Sequence, residues 1–189
     1  DLPQLQVQKN TGMVSSYHQS SLLLHLEYIA IATHSARMSE TTELLNCGLL
    51  SESAGINTET RALLACESFS EIIKYDEESI ILRQGEQSDS IYFTISGLFH
   101  AVSHANEQSP QRLLGRIEAG EFIAEISFFD PTSSVSASVK AMKNATLLKI
   151  TKANFNDMCR AHPAQALELT RALAAGMARR LRIANEKVL

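Results

Sequence analysis

EIIKYDEESIILRQGEQSDSIYFTISGLFHAVSH, residues 71–104, is the stretch that decides the fold. Its apolar residues fall in the short runs IIKY, SIILR, SIYFTIS and LFHAV, separated by turn formers such as Gly85-Glu86 and Gly97. Branched and aromatic residues in short runs, cut by glycine and polar residues at such intervals, are the pattern of strands in an all-β sandwich or barrel. In GEQSDSIYFTISG (85–97), Gly85 and Gly97 allow turns with positive φ, Ser88 and Asp89 cap the turn, and Ile91, Phe93 and Ile95 are expected to alternate inward. The texture begins near Phe69 and continues through RLLGRIEAG, SASVKA and TLLKIT to about residue 151. A β domain of roughly eighty residues is predicted.

Helices are expected on both sides of it. Residues 1–14 are polar and without period, as in an arm or linker. From 16 to 38, Leu22, Leu23, Leu26, Ile29 and Ala30 recur at helical spacing, on a face that needs cover from the β domain or a neighbouring subunit. TTELLNCGLL (41–50) reads as a second helix, Gly55 and Asn57 break it, and TETRALLACESF (58–69) starts again with Thr58 or Thr60 as cap. After Lys152, ANFNDMCRAH is a short helix, Pro163 stands in the first turn of the next, and that helix runs to the end past Gly176. Along it Leu169, Leu173, Met177, Leu181, Ala184 and Val188 make one apolar seam, with Arg171, Arg179, Arg182 and Lys187 mostly off it. Such a seam must be buried against the chain's own domain or against a second copy, and the heptad-like spacing favours the copy. The expected division is 1–44 for the arm and first helix, 45–162 for the β domain with its flanking helices, and 163–189 for a dimerisation helix.

The 189 residues suit one domain with an accessory element. With 17 basic and 21 acidic residues the formal charge is -4, against a chain that wraps nucleic acid. Cys47, Cys66 and Cys159 are odd in number and far apart, which suggests neither a disulfide framework nor a metal spacing and fits a reducing, cytoplasmic setting. The most apolar run, 22–32, contains His25, Glu27 and Tyr28 and is too short and polar to span a bilayer, and no cleavable signal is visible. The chain starts at Asp1, as a piece of a longer one would.

GEFIAEISFFDPTSSVSASV (120–139) has the cadence of a loop that holds a sugar phosphate, yet no Lys or Arg lies between Arg116 and Lys140. This segment, the turn GEQSDSIYFTISG and a final helix ending MARRLRIANEKV, in that order and spacing, resemble the cyclic nucleotide-binding domain, and most of all the sensor domain of bacterial catabolite activator-like regulators. The resemblance covers about residues 45 to 189. It implies an α+β fold, a β-roll (double-stranded β-helix or jelly roll) flanked by N-terminal helices and a long C-terminal helix.

It also implies a site. In the family a Gly-Glu pair opens a short helix, the Glu binds the ribose 2'-hydroxyl, and an Arg ten residues later pairs with the cyclic phosphate. Glu125 occupies the Glu position, Ala124 replaces the Gly, Ile126 and Ser127 come next, and the Arg position is Val135, with Ser136 and Ala137 as the small residues after it. Three groups could compensate: the backbone amides of Ser136 and Ala137 with the Ser136 hydroxyl, as an anion nest; Arg180, which aligns with a final-helix Arg of the activators that reaches the glutamate and phosphate region; and Ser133 and Ser134 as neutral donors. Where the activators read adenine with hydroxyl residues, this chain has Ala184, expected to pack, and Asn185, which has both donor and acceptor for a purine edge.

The role implied is that of a regulatory module and not an enzyme, since no nucleophile elbow, phosphate-binding lysine loop or zinc-hydrolase motif appears. The expected ligand is cyclic AMP or cyclic GMP, held weakly. The expected partner is a second copy; no membrane is involved, and no DNA reader lies within the chain, which stops at Leu189 where the family often continues into a helix-turn-helix. Of the histidines, His100 and His104 are the default candidates for a haem ligand, without a visible second ligand beside them. Rival readings are a dimerisation or docking domain that binds no nucleotide and the sensor half of a transcription regulator.

Overall fold

The computed structural model describes residues 45–104, 109–130 and 132–186. The arm, the helix expected over 16–38, the start of the 41–50 stretch and Val188 lie outside the described residues.

Among the described residues eight strands form two four-stranded antiparallel sheets. β1 (Glu71–Tyr75), β8 (Ala145–Thr151), β3 (Ser90–Ser96) and β6 (Phe122–Ile123) are neighbours in that order in one sheet; β2 (Ile80–Leu82), β7 (Ser138–Ala141), β4 (Leu98–Ser103) and β5 (Arg112–Glu118) make the other. Apart from the β4–β5 hairpin, strands next to each other in sequence pass from sheet to sheet, which makes the β-roll that the resemblance implies. Among the described residues four α-helices accompany it: α1 (Thr58–Leu64), α2 (Glu125–Phe129), α3 (Lys152–Ala161) and α4 (Pro163–Glu186).

There are two cores, and the central strands serve both. Leu82, Tyr92, Phe99, Val135, Val139 and Leu147 belong to the core between the sheets. Ile91, Phe93, Ile95, Leu148 and Ile150 belong to the other, with Phe122, Met158, Leu169 and Leu173. Alternation along β3 is therefore real, but Ile91, Phe93 and Ile95 join the helix-side core, while Tyr92 serves the inside of the roll. A strand buried on both faces reads as an unbroken apolar run, and β3 is buried from Ser90 to Ile95.

Three local expectations are corrected. The described part of 41–50 contains only a 3-10 turn at Gly48–Leu50, followed by another at Glu52–Ala54. Gly48 has φ +47° and lies against Gly120, so close that a Cβ on Gly48 would fall 2.1 Å from the Gly120 Cα. A regular helix does not continue through a left-handed residue in that position. The cap of α1 is neither Thr58 nor Thr60 but Asn57, whose side chain accepts from the Thr60 N–H at 2.8 Å. Lastly, Leu169 and Leu173 of the C-terminal seam are buried in the chain's own core, not held for a partner, and α4 runs unbroken through Gly176. Met177 and Leu181, further along, are 37 % and 63 % exposed.

The ends of the helices explain how α4 is placed. Thr151 caps α3 by accepting from the Asn154 N–H, and Pro163 then starts α4 with its φ already helical and no N–H left over. Glu168 of α4 accepts from the Thr60 hydroxyl and from the Asn57 N–H, joining α4 to the start of α1.

Candidate functional site

Between β6 and β7 the chain builds one wall of a cavity of about 130 Å³. Leu82, Ala101, Ile117, Ile123 and Val139 form its apolar side, and α4 contributes Arg180. Of the residues expected in a site, the cavity brings together Ala124, Glu125, Ile126, Ser127, Val135, Ser136, Ala137 and Arg180.

The entry to α2 is set by Ala124, at φ 70° and ψ 18°. The left-handed region costs an L-residue about 1–2 kcal/mol, which explains why the resemblance puts glycine there. The turn nevertheless forms, because the Ala124 carbonyl accepts from the Phe128 N–H at 3.0 Å and the Ser127 hydroxyl at 3.2 Å. It places Glu125 at the first position of α2, its side chain 16 % exposed.

Arg180 meets Glu125 from α4. Its Nη1 donates to Glu125 Oε1 at 3.2 Å, and its Nη2 donates to Glu121 Oε2 at 3.0 Å and to the Phe122 carbonyl at 2.6 Å. The guanidinium carbon also stands 4.2 Å from the centroid of the Phe122 ring, a cation–π distance. One cation thus faces two carboxylates, and the cluster is net negative. Because the Arg180 side chain is 36 % exposed, solvent screens part of each ion pair, and the pairs are weaker than buried ones would be.

At position 135 the backbone is held and the side chain is apolar. The Val135 N–H donates to the Glu86 carbonyl at 2.9 Å, and the Val135 carbonyl accepts from the Gly85 N–H at 2.8 Å. These two bonds fix the residue to the turn after β2. Its side chain is 5 % exposed and belongs to the inter-sheet core.

The loop before it is organised by Asp130. This carboxylate accepts from the Thr132 N–H at 2.9 Å and from the Thr132 and Ser133 hydroxyls, both at 2.6 Å. Those donors, the Ser133 hydroxyl first, hold its pKa down to about 2. Ser133 is therefore engaged within the loop rather than offered to the cavity. Lys152, at the start of α3, donates to the Ser127 carbonyl at 2.9 Å, and Phe128 meets Phe155 edge to face at 5.5 Å, so α2 is tied to α3 from below the cavity wall.

Asn185 does not line the cavity of its own chain. Five residues past Arg180 on a helix, it stands about 7.5 Å further along the axis and about 140° around it. Ala184 is likewise exposed, with no packing role within the single chain. Among the described residues no group of three or more His, Cys, Asp and Glu stands where it would hold a metal ion. Sequence reasoning missed Glu121 and Phe122, both partners of Arg180. The available signal was a carboxylate four residues before Glu125 in a stretch without cations, which requires any Arg arriving from elsewhere to be shared.

Comparison with known proteins adds to this geometry. A sequence profile described as cyclic nucleotide-binding domain matches residues 72–162. The cAMP-activated global transcriptional regulator CRP of Escherichia coli is 30 % identical over 117 residues, covering 62 % of this chain and 53 % of that protein. The chain thus spans about half the length of that regulator. Among solved structures, a cyclic nucleotide-binding domain from Methylobacillus flagellatus superposes with a TM-score of 0.66 at 17 % identity, covering 80 % of this chain and 82 % of that one. The catabolite activator protein of Thermus thermophilus gives 0.60 at 25 % identity over 74 % of this chain and 61 % of that one.

Proposed function

We propose that this chain, whose residues 72–162 match the cyclic nucleotide-binding domain, is a non-catalytic regulatory module whose roll cavity takes cyclic AMP or a related nucleotide weakly. The observation that carries this reading is position 135, where the backbone is fixed beside the cavity and the side chain is a buried valine. A charge-assisted hydrogen bond contributes about 1.5–3 kcal/mol, and removing one member of a buried charged pair costs about 2–5 kcal/mol. At about 1.4 kcal/mol per tenfold, a cyclic phosphate without an Arg here is held roughly tenfold to more than a thousandfold more weakly. Arg180 replaces it poorly, because Glu121, Glu125 and the Phe122 carbonyl take three of its five N–H donors and two carboxylates share its charge.

Regulation in this reading runs through the same arginine. A ligand that donates to Glu125 draws on the carboxylate that also holds Arg180, so occupancy changes the hold of the cavity wall on α4. That is a population shift, and it requires different ligand affinity in the two arrangements. The output is a homodimer formed through α4, whose exposed Met177, Leu181 and Ile183 need cover that the single chain does not supply. The three cysteines are free, in keeping with a cytoplasmic setting, and no helix among the described residues is long and apolar enough to cross a membrane.

A second reading, a domain that pairs or docks without any nucleotide, is favoured by one observation: Val135 is packed into the inter-sheet core as a structural residue would be. Isothermal titration with cyclic AMP and cyclic GMP, comparing the natural chain with Val135→Arg, separates the two. Millimolar binding that tightens tenfold or more in the variant supports the sensor reading. Equal affinity in both proteins overturns it.

A further inference from the structure

The cavity's chemistry is wrong for an anion in more than one place. Position 135 is apolar, the lining cation Arg180 is shared between two carboxylates, and no lysine or arginine lies between Arg116 and Lys140 to take its part. A phosphate entering beside Val135 would lose its hydration to an apolar surface and face a net negative cluster. A cationic ligand fares no better, since Arg180 already sits on the carboxylate it would seek. Yet Glu125 keeps one acceptor open: Arg180 takes Oε1, and among the described residues no donor reaches Oε2.

We propose that the roll cavity is a site for an uncharged, hydroxyl-bearing ring, a sugar or a nucleoside without phosphate, which donates a hydroxyl to Glu125 and lays its apolar surface against Val135 and its neighbours. This rests on the proposed reading of the cavity as a ligand site and names the class of ligand. A hydroxyl donating to a carboxylate makes the stronger, charge-assisted kind of hydrogen bond without bringing a charge of its own. The cavity, about 130 Å³, is small beside the few hundred Å³ of an ordinary ligand pocket and is open to solvent, so one ring sits in it and the rest of a ligand lies outside. The remainder of a larger ligand leaves past Ile126, 47 % exposed, and the exposed Ser136.

The test is calorimetric titration of the full chain with adenosine and with cyclic AMP, on the natural protein, Val135→Arg and Glu125→Gln, with circular dichroism to verify folding. The natural chain is expected to bind adenosine at least tenfold more tightly than cyclic AMP, Val135→Arg to reverse that order, and Glu125→Gln to lose tenfold or more toward adenosine. Cyclic AMP binding as tightly as adenosine in the natural chain would overturn the proposal. So would the absence of adenosine binding up to its solubility limit while Val135→Arg binds cyclic AMP, which would leave the cavity a ligand site of another class. Silence of both ligands on folded natural and Val135→Arg chains would overturn the cavity as a ligand site, and the reading it rests on with it.

Discussion

Glu125 and Val135 line the same cavity, ten residues apart, and the backbone around both is built to a demanding specification. Before Glu125 an alanine takes up a left-handed conformation; at Val135 two hydrogen bonds clamp the chain to the turn after β2. The side chains then diverge. At the first position a carboxylate has an arginine from α4 beside it, and at the second a valine has joined the core. Backbone geometry is maintained by many neighbours at once, whereas the charge of a pocket hangs on single side chains.

The largest effect expected from breaking this comparison is at Val135. If it is now a core residue, Val135→Asp, which puts a carboxylate where the side chain is 5 % exposed, should destabilise the chain by about 3–5 kcal/mol. Urea unfolding measures it, and a loss below about 1 kcal/mol would show that the position is not part of the core. On the Glu125 side, Arg180→Ala removes three hydrogen bonds but from a side chain in partial contact with water, so the expected loss is smaller, about 1–2 kcal/mol. A loss as large as at Val135 would reverse the contrast between a core wall and a solvated one.

Ala124→Gly sharpens the comparison in the other direction. Relief of the left-handed backbone gains about 1–2 kcal/mol, and the greater freedom of glycine in the unfolded chain takes back about 0.4–1 kcal/mol. The net gain expected is about 0.5–1 kcal/mol, visible as a higher midpoint in urea. The smallest effect concerns the loop that leads to Val135. Asp130 has its pKa lowered in the folded chain to about 2, so its hold on Thr132 and Ser133 is fully present above the ordinary carboxylate range and is lost as pH falls through about 2. A carboxyl titration followed by NMR that gave a midpoint near 4 would mean that the loop contacts do not persist in solution.

Much of this was legible in the residues. The short β runs, the helices on either side, Pro163 at the start of α4 and the gap in the cations from 117 to 139 are local properties, and local pattern reports them well. Eight of the nine residues expected in the site do line one cavity, and Asn185, placed by alignment along a helix, does not. What stayed hidden depends on meetings between distant parts of the chain. The period of β3 told which residues share a face but not that Ile91, Phe93 and Ile95 look toward helices, because both faces of that strand are buried. Nor did TTELLNCGLL reveal that Gly48 would lie on Gly120 in a left-handed conformation, with only a 3-10 turn at Gly48–Leu50.

By itself, then, the sequence determined that a domain of short β-strands with a long terminal helix would form and that the segment from 117 to 139 would lack a cation, since periodicity and composition act within a few residues. Only the tertiary structure decided that Arg180 is shared between Glu121 and Glu125, some 55 to 59 residues away, and that Val135 is drawn into the core. Charge sharing and burial are set by what the rest of the chain brings to a position, and no local pattern carries that information.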